Sequence, residues 1–160
     1  TRVRSSAASD VYKRQFRITA FIILVLLVLQ YILGMVANLE VQLPSGNVSS
    51  WVFGHSIIIQ LHIYLGTLLI VGALVALILS LVARHSVGIV SAVAGLALLV
   101  FAWLSGVQFL VTQQNDLSLR MAIGFMGAFI AYLLGYFFSR VHSSKSSQSE
   151  QEGTLGSVQK

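Results

Sequence analysis

Four long segments of this chain contain no Asp, Glu, Lys or Arg, and they comprise residues 18–37, 57–82, 87–112 and 121–139. A helix needs about 20 apolar residues to cross the hydrocarbon core of a bilayer, and each segment is about that long or longer. Because lipid supplies no hydrogen-bond partners for peptide groups, each segment must satisfy its own backbone as an α-helix. The apolar runs are continuous and do not alternate, which argues against membrane β-strands. The sequence therefore predicts an all-α protein with four transmembrane helices.

The composition supports this prediction and excludes other classes of protein. Hydrophobic residues make up 56% of the chain and charged residues 9%, whereas soluble domains carry about 25% charged residues. A disordered polar chain is also excluded, because it combines low hydrophobicity with high net charge. Without a cysteine, the chain can form no disulfide, thiolate metal site or cysteine nucleophile. The formal net charge of +5 does not form a basic patch interleaved with aromatic residues, so we expect no nucleic-acid partner.

The positions of the basic residues predict how the helices are oriented. One side of the predicted bundle carries most of them, namely Arg17, Arg84, Arg140 and Lys145. The other side carries Arg120, beside Asp116, together with Glu40. Basic residues near the ends of transmembrane helices favour the cytoplasm, which predicts cytoplasmic termini for a multi-pass protein of the cell membrane. The short connections 83–86 and 113–120 favour antiparallel neighbours, and hence an up-down-up-down four-helix bundle.

The composition divides the chain into three regions. Residues 1–15 are polar and basic and lack an initiating Met, and we expect them to be a non-native or disordered leader. Residues 16–140 form the predicted transmembrane domain. Residues 141–160 are rich in Ser and Gln and are predicted to be a disordered cytoplasmic tail, because they lack the apolar surface to fold. The first apolar run exceeds the usual length of a cleaved signal sequence, so we expect it to remain as a membrane anchor.

Small residues at four-residue spacing allow helix backbones to approach closely in lipid. The fourth predicted helix carries the best set of them, namely Gly124, Gly127, Ala128, Ala131 and Gly135. One interpretation is packing within the bundle. The other is a face through which two copies of the chain form a homodimer, and the spacing does not decide between them.

Polar side chains within apolar segments are costly in a membrane and need partners. Gln30, Gln60 and Gln108 have similar predicted depths in the outer half of the bundle. We therefore predict a polar cluster formed by these three residues. Its simplest role is hydrogen bonding between helices, which is worth about 0.6 kcal/mol per contact in membrane proteins.

His62 is the one histidine well inside an apolar segment, and it is the candidate ligand for a haem iron. His55 lies seven residues earlier, which is about two helical turns, so both histidines are predicted to follow one face of a helix. A separation of about 10 Å along the axis prevents them from ligating opposite sides of one iron. Ligation by His62 alone, or by His62 of two copies across a dimer, remains open, with His55 as a second candidate. No other metal site is predicted.

The pattern QxxxGM at 30–35 ends the first span, HxxxG at 62–66 opens the second, and Gly106 lies near the end of the third. This set resembles one four-helix half of the haem A synthase family, in which a helix begins with a histidine followed by small residues. The resemblance implies a haem cofactor bound through His62. The half-repeat of that family has a second histidine on its fourth helix, whereas the fourth span here has none.

A second resemblance involves GVQFL at 106–110 and SLRMA at 118–122. Both segments are similar to a stretch of small bacterial four-helix membrane proteins whose activity is unknown. This resemblance extends over residues 16–140. It implies the same four-helix fold and a bacterial inner-membrane location, and it implies no activity.

The spans contain none of the groups that catalysis or coupled transport requires. They hold no charged residue, and hence no carboxylate pair, proton relay or ion-coupling site. We therefore predict a small multi-pass membrane protein without catalytic residues, which acts as an accessory or assembly subunit. Its expected partners are the lipid bilayer and either a second copy or a larger membrane complex. The alternatives are a haem-binding redox or haem-handling protein that uses His62, and an oligomeric pore or transporter for small solutes.

Overall fold

The computed structural model describes the backbone of residues 2–41, 43–44 and 48–158, and the side chains of residues 11–41, 43–44, 48 and 51–139. Every regular element in this part of the chain is an α-helix. In chain order the helices are α1 (Arg2–Glu40), α2 (Val48–His55), α3 (Ile57–Val82), α4 (Ser86–Thr112) and α5 (Asn115–Val158).

Four of these helices are long and apolar enough to cross a membrane, and they contain the candidate spans Val11–Glu40, Ile57–Val82, Ser86–Thr112 and Asn115–Ser139. The predictions of an all-helical fold and of four apolar spans are therefore confirmed. The helix α3 has the bounds predicted from the charge-free segment, 57–82, and α4 begins one residue before its predicted start at 87.

The helices α1 and α5 extend well beyond the apolar segments. The leader and the tail, which the composition predicts to be disordered, lie within α1 from Arg2 and within α5 as far as Val158. Neither region contains a proline, and extending an existing helix costs less than nucleating a new one.

The short helix α2 lies in the connection between the first two apolar segments. Its side chains Val48 and Val52 are 2% and 0% exposed, and α2 packs against α3 and α4. Ser56 follows in an extended conformation and separates α2 from α3. It also caps α3, because its Oγ accepts a hydrogen bond from the Ile59 N–H at 3.4 Å. A helix and a cap therefore form the last part of this connection.

The connection between α3 and α4 is a tight turn. Arg84 adopts a φ of 50°, which is uncommon for a residue with a Cβ. His85 then caps α4, and its Nδ1 accepts a hydrogen bond from the Gly88 N–H at 3.0 Å. The turn leaves Arg84 exposed beside the first residue of α4.

The four long helices form a bundle in which α1 and α4 each contact both α3 and α5. The contact between α4 and α5 is the most extensive. Small residues dominate the fully buried positions, and they let the helix backbones approach closely. The fully buried alanines are Ala20, Ala73, Ala76, Ala92 and Ala128. Among the described side chains Tyr132 is the largest that is fully buried, and it packs against Gly95, where an added Cβ would lie 2.7 Å from the tyrosine Cζ. Large apolar side chains elsewhere face outward, which suits a lipid surround.

Candidate functional site

The helices α1 and α3 meet at a polar contact between Gln30 and His62. The Gln30 amide nitrogen lies 3.2 Å from Nε2 of the His62 ring. The same nitrogen donates a hydrogen bond to the backbone carbonyl of His62 at 3.0 Å. Both side chains are partly buried, so the contact joins two helices within their apolar segments.

Two glycines create the space for this contact. A Cβ on Gly66 would lie 3.1 Å from the amide nitrogen of Gln30, and a Cβ on Gly34 would lie 3.0 Å from Cε1 of His62. Each polar side chain therefore packs over the glycine that follows its partner by one helical turn. The pattern QxxxG of α1 and the pattern HxxxG of α3 form a matched pair, which we call the Gln–His crossing, defined by Gln30, Gly34, His62 and Gly66.

The hydrogen bonds of the Gln–His crossing determine the tautomer of His62. The Gln30 atom that lies 3.0 Å from a carbonyl oxygen must be the NH₂ group, because a carbonyl accepts and does not donate. That NH₂ group also faces Nε2 of His62, so Nε2 must be the acceptor and Nδ1 must carry the proton. Within the described part of the chain, Nδ1 of His62 and Oε1 of Gln30 are buried without a hydrogen-bond partner.

This geometry bears directly on haem ligation. A histidine binds iron through the lone pair of a neutral ring nitrogen. The lone pair of His62 lies on Nε2 and accepts from Gln30, while the protonated Nδ1 lies beside Gly34, 3.5 Å from the position of an added Cβ. Iron could bind His62 only if Gln30 moved away. In this arrangement the residues do not fit a haem.

A second polar contact lies next to the Gln–His crossing and joins α3 to α4. The indole N–H of Trp103 donates to the Thr67 hydroxyl at 3.3 Å, and that hydroxyl donates to the Ile63 carbonyl at 2.9 Å. The Trp103 ring also approaches Gly66, with Cδ1 3.9 Å from the position of an added Cβ. The sequence patterns did not single out Trp103, because an indole in an apolar segment resembles any other large hydrophobic residue.

The three glutamines predicted to cluster lie in different surroundings. Gln30 bonds to His62, as described. Gln60 donates to the Val52 carbonyl at 3.0 Å and thereby links α3 to α2. Gln108 is exposed on α4. Similar depth along the helices therefore did not bring these side chains to one place.

His55 lies outside α3, although the seven-residue spacing placed it on one helix with His62. It is the last residue of α2, and the extended Ser56 separates the two helices. Its exposed ring stacks on Trp51, with ring centroids 5.6 Å apart and planes 4° apart, and its Nδ1 lies 3.2 Å from the Trp51 carbonyl oxygen. The two histidines are therefore separate features.

The small residues of α5 face α4 within the same chain. A Cβ on Gly124 would lie 2.9 Å from the Leu98 carbonyl oxygen, and a Cβ on Gly127 would lie 3.0 Å from a methyl group of Leu98. Farther along α5, Gly135 lies against the Ser91 side chain.

The remaining two small residues complete this surface. Ala128 is fully buried in the core, and the Ala131 carbonyl accepts a hydrogen bond from the Ser91 hydroxyl at 2.7 Å. These contacts are the intramolecular packing that the spacing allows, and Gly127, Ala131 and Gly135 also line a groove between α4 and α5.

Within the described residues, no group of three or more His, Cys, Asp or Glu side chains is placed to hold a metal ion. Comparisons of the chain with protein-family models, with curated proteins and with solved structures gave no match.

Proposed function

We propose that this protein is a small multi-pass protein of the cell membrane that serves as an accessory or assembly subunit of a membrane complex. Its four spans run up-down-up-down and both of its termini are cytoplasmic. The chain contributes a packed helical scaffold to the complex, and catalysis belongs to other subunits.

The order of residue contacts supports the up-down arrangement. Gly72 lies beside Ile23 and Gly34 beside His62, so residue numbers rise along α1 as they fall along α3. The same inverse order relates α4 to α5, where Gly95 meets Tyr132 and Gly106 meets Met121. Neighbouring helices of a four-helix bundle with short connections are expected to have this relation.

The observation that carries the proposed role is the use made of polar groups inside the spans. In the Gln–His crossing, in the contact of Trp103 with Thr67, and in the bond from Ser91 to the Ala131 carbonyl, polar groups join one helix to the next. Such groups within a membrane commonly mark ion or substrate pathways. Here they stabilise the bundle, and the charge-free segments 18–37, 57–82, 87–112 and 121–139 offer no charged residue that could serve such a pathway.

The proposed role is tested by the size and composition of the particle that contains the protein. Membranes with an affinity-tagged chain at its native expression level are solubilised in a mild detergent and resolved by native electrophoresis. We expect the tagged chain in a particle that also contains a different integral membrane protein in fixed ratio. When the gene for this chain is deleted, we expect that partner protein to be lost from particles of that size. A tagged chain that migrates solely as a monomer or homo-oligomer would contradict the proposal.

An absorption spectrum tests the haem alternative against this proposal. The Gln30 NH₂ group donates a hydrogen bond to Nε2 of His62, which is the nitrogen that would bind iron. We therefore expect protein purified with haem supplied to show no Soret band that depends on His62. The His62→Ala variant is compared with His55→Ala, which removes an exposed histidine outside the spans. A Soret band lost in His62→Ala and kept in His55→Ala would establish the haem-binding function instead.

A further inference from the structure

An open groove runs between α4 and α5 on the outer surface of the bundle, with about 570 Å³ of space. Small residues of both helices line it, namely Ala94 and Ser91 of α4 and Gly127, Ala131 and Gly135 of α5. Its rim includes Val90 and Leu134, which are 70% and 49% exposed. The groove is therefore mainly apolar and faces the surroundings of the bundle and not its core.

The groove occupies one half of the predicted membrane depth. It begins at Ser86, the first residue of α4, and reaches Ala94, and on α5 it runs from Phe138 back to Gly127. At a rise of 1.5 Å per residue these stretches are about 12 Å and about 16 Å long. A bilayer core is about 30 Å thick, so the groove has the length of one leaflet. A transmembrane helix of a partner would need a surface about twice as long, whereas a lipid acyl chain occupies one leaflet.

The end of the bundle where the groove begins is basic. Arg84 is exposed two residues before the start of α4. The Phe16 ring lies 6.2 Å from the His85 ring between centroids, which brings the neighbouring Arg17 of α1 to the same end. An anionic lipid headgroup is attracted to basic residues at this level of a membrane.

The opposite end of the bundle has a different charge. Asp116 and Arg120 form an ion pair there at 3.0 Å, and Glu40 ends α1. Among the described side chains, Glu40 and Asp116 are the acidic residues, and both lie away from the groove. The charge distribution therefore complements an anionic headgroup at the end where the groove begins.

We propose that the groove between α4 and α5 binds one acyl chain of an anionic phospholipid from the leaflet at the basic end, with the lipid phosphate beside Arg84. The proposal requires insertion of the chain into a membrane and does not depend on an accessory role. Failure of lipid binding would leave the test of the membrane complex unaffected.

Native mass spectrometry of the purified full-length protein tests the apolar part of this proposal. The protein in mild detergent is titrated with phosphatidylglycerol, and the bound lipids are counted. The Ala94→Leu and Ala131→Leu variants fill the groove from α4 and from α5. Ala97→Leu is the matched control, because it adds the same atoms to an exposed position of α4 outside the groove. We expect the wild type and Ala97→Leu to retain one lipid that both groove variants lose.

The headgroup contact is tested by neutralising one arginine at each end of the bundle. We expect Arg84→Gln to weaken phosphatidylglycerol binding about fivefold, which is the contribution of one basic residue near an anionic headgroup. Binding of phosphatidylcholine with the same acyl chains should not change. Arg120→Gln, at the other end, is the control and should leave both lipids unaffected.

Two results would overturn the proposal. Equal lipid retention by the groove variants and by Ala97→Leu, with unchanged helical circular dichroism in each, would show that the lipid binds elsewhere. A dimer of the wild type that both groove variants convert to monomers would show that a second copy of the chain occupies the groove.

Discussion

At the scale of single residues, the Gln–His crossing shows how two helices can share an uncharged polar contact. The NH₂ group of Gln30 serves both the ring nitrogen and the backbone carbonyl of His62, and the two glycines keep the helices close enough for this to happen. Interhelical hydrogen bonds in membrane proteins average about 0.6 kcal/mol and reach about 1.7 kcal/mol. The contact is therefore expected to orient α1 against α3 more than to add greatly to stability.

Replacing Gln30 with Leu should lower the free energy of unfolding by about 1 kcal/mol, because the substitution leaves both acceptors of His62 without their donor. Unfolding in mixed micelles with increasing sodium dodecyl sulfate measures this change. Gln108→Leu makes the same chemical change at an exposed position of α4 and should have almost no effect. Equal destabilisation by the two variants would contradict the structural importance of the crossing.

The glycine partner gives a second prediction at this scale. Gly66→Ala should destabilise the protein by about 1 kcal/mol, because the added Cβ would lie 3.1 Å from the Gln30 amide nitrogen, which can move aside only by breaking its hydrogen bonds to His62. The same change in a Gln30→Ala background should cost less, with a coupling of at least about 0.5 kcal/mol in a double-mutant cycle. Gly54→Ala is the control, since nothing lies within 4 Å of its added Cβ. Additive effects would show that the two residues do not meet.

At the scale of elements, the pairing of α4 with α5 depends on close backbone approach. Gly124 faces the carbonyl oxygen of Leu98, which belongs to the backbone, whereas Gly127 faces the flexible end of the Leu98 side chain. A flexible side chain can move aside, but a helix backbone can yield only if the two helices separate. Two glycines three residues apart therefore differ in how strictly the interface requires them.

We expect Gly124→Ala to destabilise the bundle by about 1–3 kcal/mol through overpacking. Gly127→Ala should be nearly neutral, because the better helix propensity of Ala, about 1 kcal/mol, offsets a small rearrangement of Leu98. Denaturant titration of both variants measures the difference. The interpretation would fail if Gly127→Ala were the more damaging of the two.

At the scale of the whole molecule, the charges divide the bundle into a basic end and a nearly neutral end. Arg17 and Arg84 lie at the first, while Asp116 and Arg120 pair with each other at the second. The same asymmetry supports the proposed orientation and the proposed lipid contact. Both proposals concern one leaflet, and they can be tested separately.

The natural absence of cysteine makes the orientation directly measurable. Gln114→Cys and Ser86→Cys place single thiols at exposed positions on opposite ends of the bundle. In intact cells a membrane-impermeant maleimide should label Gln114→Cys, and it should label Ser86→Cys only after the membrane is permeabilised. The opposite pattern would reverse the proposed orientation and would leave the four helices unaffected.

The sequence by itself determined the helical class and the four apolar spans. A charge-free run of about 20 residues in lipid must satisfy its own backbone hydrogen bonds, and it does so as an α-helix. It also predicted how far along each helix a polar residue lies, since that distance follows from the rise per residue. Depth does not reveal rotation about the helix axis or the register between helices. For this reason the sequence did not predict that Gln30 contacts His62 and does not contact Gln60 or Gln108.

The partners of polar side chains were decided by tertiary packing. The positions of Gly34 and Gly66 determine which faces of α1 and α3 can touch, and the extended Ser56 separates His55 from the helix of His62. The groove likewise exists only when α4 and α5 lie side by side, because residues of both helices line it. Apolar segments in lipid have little preference among their own faces, so close packing selects the contacts.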